Sequence, residues 1–130
     1  MPAITNSDAV IVLTTLGVGT DAVALARALV AERLAACVNV LPVMTSVYRW
    51  EGLVEEEQER QLVIKTARNR VDALAARVRL LHPYAVPELL VIQTSDGWEE
   101  YLRWIRDSVA PSELEEPQNE KAADQQDEKQ

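Results

Sequence analysis

Two long runs of strand character, Cys37–Trp50 and Leu53–Thr66, flank the turn signal Glu51-Gly52 and limit the fold more than any other feature. Arms of about 13 residues reach roughly 40 Å, whereas a helix of about 15 residues spans only ~22 Å. A hairpin of that length overshoots any small domain built around it. A bare two-stranded ribbon is marginal in water and its edges invite pairing, so something must hold the overhang. Another subunit is the economical answer. Within the first arm Pro42 lacks an N–H and demands an edge or a bulge.

The chain has 130 residues, 48% of them hydrophobic, which suits one compact domain. Asp8–Leu16 is a β-branched run with apolar residues on both alternating faces, a strand buried on both sides. Thr20 and Asp21 cap a first helix, whose stripe is Val23, Ala26, Leu29, Val30 and Leu34. Asn69 with Asp72 resembles a capping box for a second helix, with Val71, Leu74, Ala75, Val78 and Leu81 inward. Glu88–Thr94 reads as a fourth strand, and Ser95-Asp96-Gly97 as the cap of a third helix, Trp98–Val109. The order βαββαβ plus a helix closes, with right-handed crossovers, into an α+β ferredoxin-like antiparallel sheet under two helices. Two helices cover one face of that sheet; the other face, apolar in strands 1 and 4, requires a partner.

The formal charge of −8 is unevenly placed. Residues 112–130 hold seven acids and two lysines, a net of −5, which leaves −3 for 1–111. That tail has no aromatic or β-branched residue and reads as a disordered, solubilising extension of a domain at 1–111. No basic stripe is present to displace counterions from nucleic acid, and anionic membrane surfaces are disfavoured for the same reason. Neither a signal peptide nor a membrane-spanning run is visible. One cysteine makes no intrachain disulfide, and the chain reads as cytoplasmic.

Enzyme constellations are absent from the sequence: one histidine, no nucleophile elbow and no phosphate loop. Cys37 and His82 are the only thiol and imidazole metal ligands, without CxxC or HxxxH spacing. The plainer readings are a buried small hydrophobe for Cys37 and a helix-end cap for His82, although Pro83 and Pro87 brace the corner more than a cap requires. Glu55, Glu57 and Glu59 share one strand face, either as a solvated ribbon or as a cation site. Lys65 is expected to pair with Glu59 or Glu88. Trp98, Tyr101 and Trp104 form a packing face on the last helix.

The blocks ERLAACVNVLPVMTSVYRWEG, EEEQERQLVIKT, HPYAVPEL and GWEEYLRWI resemble the CutA family of divalent-cation tolerance proteins. The likeness runs from about Ala9 to Val109. It implies a ferredoxin-like protomer in a homotrimer, with sheets facing inward, hairpins paired across subunits, and an architecture like that of the PII signalling proteins. It associates the chain with copper, Cu(2+), or another divalent cation. The family's cysteine, histidine, hairpin glutamate and lysine fall on Cys37, His82, Glu59 and Lys65. The candidate metal ligands are therefore Cys37, His82 and Glu59, and the candidate intersubunit cleft holds Trp50, Lys65, Tyr84, Tyr101 and Trp104. Two departures stand out: Arg49 replaces a tryptophan, and Arg60-Gln61 occupies positions that are usually apolar. The resemblance implies a copper-tolerance trimer that binds metal weakly. Alternatives are a PII-like module binding a metabolite or anion near His82, Tyr84, Lys65 and Trp104, and a trimeric scaffold.

Overall fold

A computed structural model describes residues 3–111; the acidic tail expected to be disordered lies outside the described residues. The chain is α+β, built around β2 (Ala9–Gly17), whose side chains are buried or half-buried on both faces. β2 pairs antiparallel with β5 (Leu53–Ala67) over nine residues, from Ala9 opposite Ala67 to Gly17 opposite Glu59. β6 (Leu90–Gln93) lies on its other side, with Val10 opposite Gln93 and Leu13 opposite Leu90. β3 (Cys37–Val40) pairs with β5, which gives the order β3-β5-β2-β6. The expected strand Cys37–Trp50 is divided by Pro42: its second part, β4 (Met44–Trp50), pairs with the outer half of β5. Between the two parts Leu41 keeps one ladder bond, N–H to the Gln61 carbonyl at 3.0 Å.

Because β2 and β5 are in register, alternate residues divide cleanly between faces. Val10, Val12 and Leu16 of β2 and Leu62 and Ile64 of β5 join Leu25 and Leu29 of α1 (Ala22–Ala31) and Leu74 and Val78 of α2 (Val71–Leu81) in the main core. Each such aliphatic side chain contributes roughly 1.5–3 kcal/mol by leaving water. Asp21 caps α1 as expected, accepting the Ala24 N–H at 3.0 Å. The buried stripe of α1 is Ala22, Leu25, Ala26 and Leu29, so Val23 and Val30 of the expected stripe face outward. Asn69 makes no capping box. It lies in a 3₁₀ turn, Arg68–Arg70, and Arg70 is the N-cap, its side chain donating to the Arg33 carbonyl rather than capping the helix.

Two short strands escape the sequence reading. β1 (Ile4–Asn6) pairs with β7 (Asp96–Trp98), so Ser95-Asp96-Gly97 forms a strand edge rather than a helix cap. Backbone bonding replaces side-chain capping at that point, as the Glu99 N–H reaches the Ala3 carbonyl at 2.8 Å. α3 (Glu99–Val109) then packs Leu102, Ile105 and Val109 on Ala9, Ala36 and Ala67. Ala9 and Ala67 belong to the face opposite α1 and α2, so the third helix covers one end of it. The rest stays open. Leu90 and Ile92 are 57% and 46% exposed there, beside the half-buried Ile11, Leu13 and Val63.

The main core contains one misfit. Thr14 is fully buried on the helix side of β2, and its hydroxyl has no hydrogen-bond partner among the described residues. An unmatched buried hydroxyl costs about 1–3 kcal/mol, and an apolar group of the same shape removes that cost. Thr14→Val is expected to raise the unfolding free energy by about 1 kcal/mol in a denaturant titration. A loss of stability would show that the hydroxyl has a partner.

Candidate functional site

The open face ends, away from α3, in a cavity of about 620 Å³ between the hairpin and the corner after α2. β5 supplies its floor through Glu57, Glu59 and Gln61, alternate residues that share one face, with Thr15 from β2 beside them. β4 supplies one wall through Met44, Ser46, Tyr48 and Trp50, in register with the floor: Met44 lies opposite Glu59 and Ser46 opposite Glu57. The corner Tyr84–Glu88 forms the other wall. At the hairpin tip Glu51 and Gly52 have φ of 50° and 83°. Both central residues are thus left-handed, as a type I′ turn requires.

His82 fixes the corner. Its ring is buried, with Nε2 donating to the Thr15 carbonyl at 2.6 Å and Nδ1 accepting the Tyr84 N–H at 3.2 Å. This assigns the ring hydrogen to Nε2 and leaves neither nitrogen free. His82 is the C-cap residue of α2 through its backbone N–H to Val78, but its imidazole turns to β2 instead of the last-turn carbonyls. Tyr84 is brought against the His82 ring, with centroids 4.7 Å apart, and donates its hydroxyl to Glu59 Oε2 at 2.8 Å. Gly17 allows this approach, since a Cβ there would sit 3.2 Å from the Tyr84 oxygen.

Glu59 is 7% exposed, which corrects the solvated-ribbon reading for this residue. The geometric reason is that β2 pairs with β5 as far as Glu59, while residues 53–58 project beyond β2. Gln61 donates to Glu88 Oε2 at 2.9 Å and, at 3.4 Å, to the Thr14 carbonyl. Arg60 reaches the Leu41 carbonyl at 3.2 Å. The two polar departures from the family pattern thus bond within the chain. Burial, followed by the Glu59 hydrogen bond and the negative charges of Glu59 and Glu57, pushes the Tyr84 phenol up to about 12.

The sequence-derived candidates separate in the protomer. Glu59 and His82 both touch Tyr84, but Cys37 lies opposite Lys65, six residues along β5 from Glu59 and so roughly 20 Å away. Among the described residues no group of three or more His, Cys, Asp or Glu side chains is placed to share one ion. Of the five cleft candidates, Trp50 and Tyr84 line the cavity. Lys65 is half-buried in the middle of the open face and has no ion pair among the described residues. The pairing expected with Glu59 or Glu88 fails because those carboxylates sit at the far end and bond Tyr84 and Gln61. Tyr101 and Trp104 stack on each other on α3 at 5.5 Å, remote from the cavity residues. Gln61, Glu88, Tyr48 and Thr15 were missed. The period-2 count that groups Glu57 with Glu59 also reaches Gln61, whereas Thr15 and Glu88 required the register and the corner.

The fold and site define a small α+β protein with an acid-lined cavity on a half-open antiparallel sheet. Residues 10–108 match the family model described as CutA1 divalent ion tolerance protein. The divalent-cation tolerance protein CutA of Yersinia pestis (strain Pestoides F) is 42% identical over 107 residues, 82% of this chain and 90% of that protein. The same-named protein of Thermus thermophilus is 49% identical over 85 residues, 65% of this chain and 82% of the relative. Among solved structures, CutA from Synechococcus elongatus superposes with a TM-score of 0.78 at 35% identity, covering 83% of this chain and 96% of that one. The chain belongs to the CutA family of divalent-ion tolerance proteins.

An acid whose folded pKa is raised stabilises the fold while it stays protonated. Stability held below the ordinary tyrosine value of 10 is therefore lost as pH rises from there towards about 12. Alkaline titration of phenolate absorbance is expected to show one tyrosine titrating near 12, and Tyr84→Phe should remove that step. Complete ionisation by pH 10.5 would contradict the Glu59–Tyr84 bond.

Proposed function

We propose that the protein acts in divalent-cation tolerance as a cytoplasmic homotrimer that binds copper or a related divalent cation weakly at the acid-lined cavity. One observation carries this reading. Glu57, Glu59 and Glu88 line the cavity, and no lysine or arginine does so among the described residues. A floor of that sign attracts cations and repels anions. It gives no support to a phosphate-like or carboxylate effector, the anionic form of a PII-like regulatory role.

Weak binding follows from the donor set. The carboxylates are not clustered as a closed shell in one protomer. Both His82 nitrogens are engaged, so ligation by His82 would break the bonds that hold the corner. A second copy facing the open sheet is the proposed source of further donors, and the exposed Leu90 and Ile92 support such packing. Threefold closure with a ferredoxin-like protomer is proposed from the family and from the hairpin, whose residues 53–58 extend past β2. Placement in the cytoplasm rests on the single cysteine, Cys37, which is free.

Calorimetric titration of Cu(2+) at neutral pH tests the site. The parent should bind in the micromolar range or weaker, Glu59→Gln about tenfold more weakly, and Cys37→Ser like the parent. If Cys37→Ser abolishes binding while Glu59→Gln leaves it intact, the metal sits at the cysteine and the cavity assignment fails.

A further inference from the structure

We propose that the same cavity is a binding site for an organic diammonium ion, a small aliphatic diamine or polyamine. The proposal rests on the cation selectivity argued above, but its ligand is organic. The first observation is the buried carboxylate. Glu59 is 93% buried by its 7% exposure, lines the cavity, and uses only Oε2, on the Tyr84 hydroxyl. Its Oε1 makes no hydrogen bond among the described residues and is not fully enclosed, so it stays open to the cavity, and the side chain has no ion pair among the described residues. A carboxylate so largely enclosed has little room for its own hydration shell, and a cation that donates hydrogen bonds to the open oxygen replaces that water.

The second observation is the wall chemistry. Tyr48, Trp50 and Tyr84 line the same space, and aromatic faces attract ammonium groups through the ring quadrupole. Met44, Val86 and Pro87 add apolar surface against which methylene groups can lie. A bare hydrated metal ion gains nothing from these walls. An alkyl ammonium ion uses both parts of the cavity.

The third observation is the spacing of charge. Glu57 and Glu59 are two residues apart on one strand face, so their Cα atoms lie roughly 7 Å apart. A chain of four methylenes holds its two nitrogens at about that distance, near 6 Å when extended. One ammonium then meets Glu59 Oε1 at depth, and the second lies towards the exposed Glu57 and the half-buried Glu88. A cavity of about 620 Å³ accommodates such a chain and its longer triamine relative.

The test is calorimetric titration of the full chain with 1,4-diaminobutane, spermidine and the neutral isostere 1,4-butanediol, each followed by Cu(2+). The diamine and spermidine should bind and the diol should not, with affinity falling as salt is raised. Glu59→Gln should weaken the diamine about tenfold. Tyr48→Leu, which removes the aromatic face, should weaken it several-fold, whereas Tyr48→Phe, which keeps the ring, should bind like the parent. Equal binding of diol and diamine, or none of either, overturns the proposal. Copper binding without diamine binding overturns it and leaves the proposed function standing. Diamine binding without copper binding supports it and removes the metal reading alone.

Discussion

The nine-residue antiparallel pairing of β2 with β5 is the constraint on which the remaining structure depends. Its register sends Val10, Val12, Leu16, Leu62 and Ile64 to the helices and Ile11, Leu13, Val63 and Lys65 to the open face. A slip of one residue would exchange the two sets and put Lys65 into the main core. The same register places Gly17 beside Glu59, and a Cβ at Gly17 would press on the Tyr84 hydroxyl at 3.2 Å. Fold and site are therefore consequences of one ladder.

The open face has a gradient of character along β5. At one end α3 covers Ala9 and Ala67; in the middle Leu90 and Ile92 remain exposed; at the other end the face becomes acidic and aromatic around Glu59. An apolar centre favours packing against another copy, and an acid-lined end favours a cation. The proposed assembly and the proposed ligand binding would thus draw on different residues of one surface. The His82–Thr15 bond ties the corner to the central strand without using any side chain of the apolar centre.

Much of this was legible in the sequence. β2, β5, α1, α2 and the overshooting hairpin follow from β-branched runs, helical spacing and the Glu51-Gly52 turn, all of them local signals. The grouping of Glu55, Glu57 and Glu59 on one face was equally local. What escaped depends on distant partners. β1 and β7 are three residues each and exist only because they pair across 90 positions of chain. The burial of Glu59 required knowledge of where β2 stops along β5, and the role of His82 required the Thr15 carbonyl, 67 positions away. Lys65 carried a misleading signal, because a lysine in an apolar strand suggests a nearby carboxylate, whereas the two expected partners sit at the far end of the face and bond Tyr84 and Gln61.

This register leaves a sheet face open, and we propose that further copies of the same chain cover it. Light scattering of the full chain at micromolar concentration tests it most directly. The expected mass is three times that of the 14.5 kDa chain, with Leu90→Lys or Ile92→Lys shifting it towards the single chain. A folded species at the mass of one chain, with Leu90 and Ile92 in water, would contradict it.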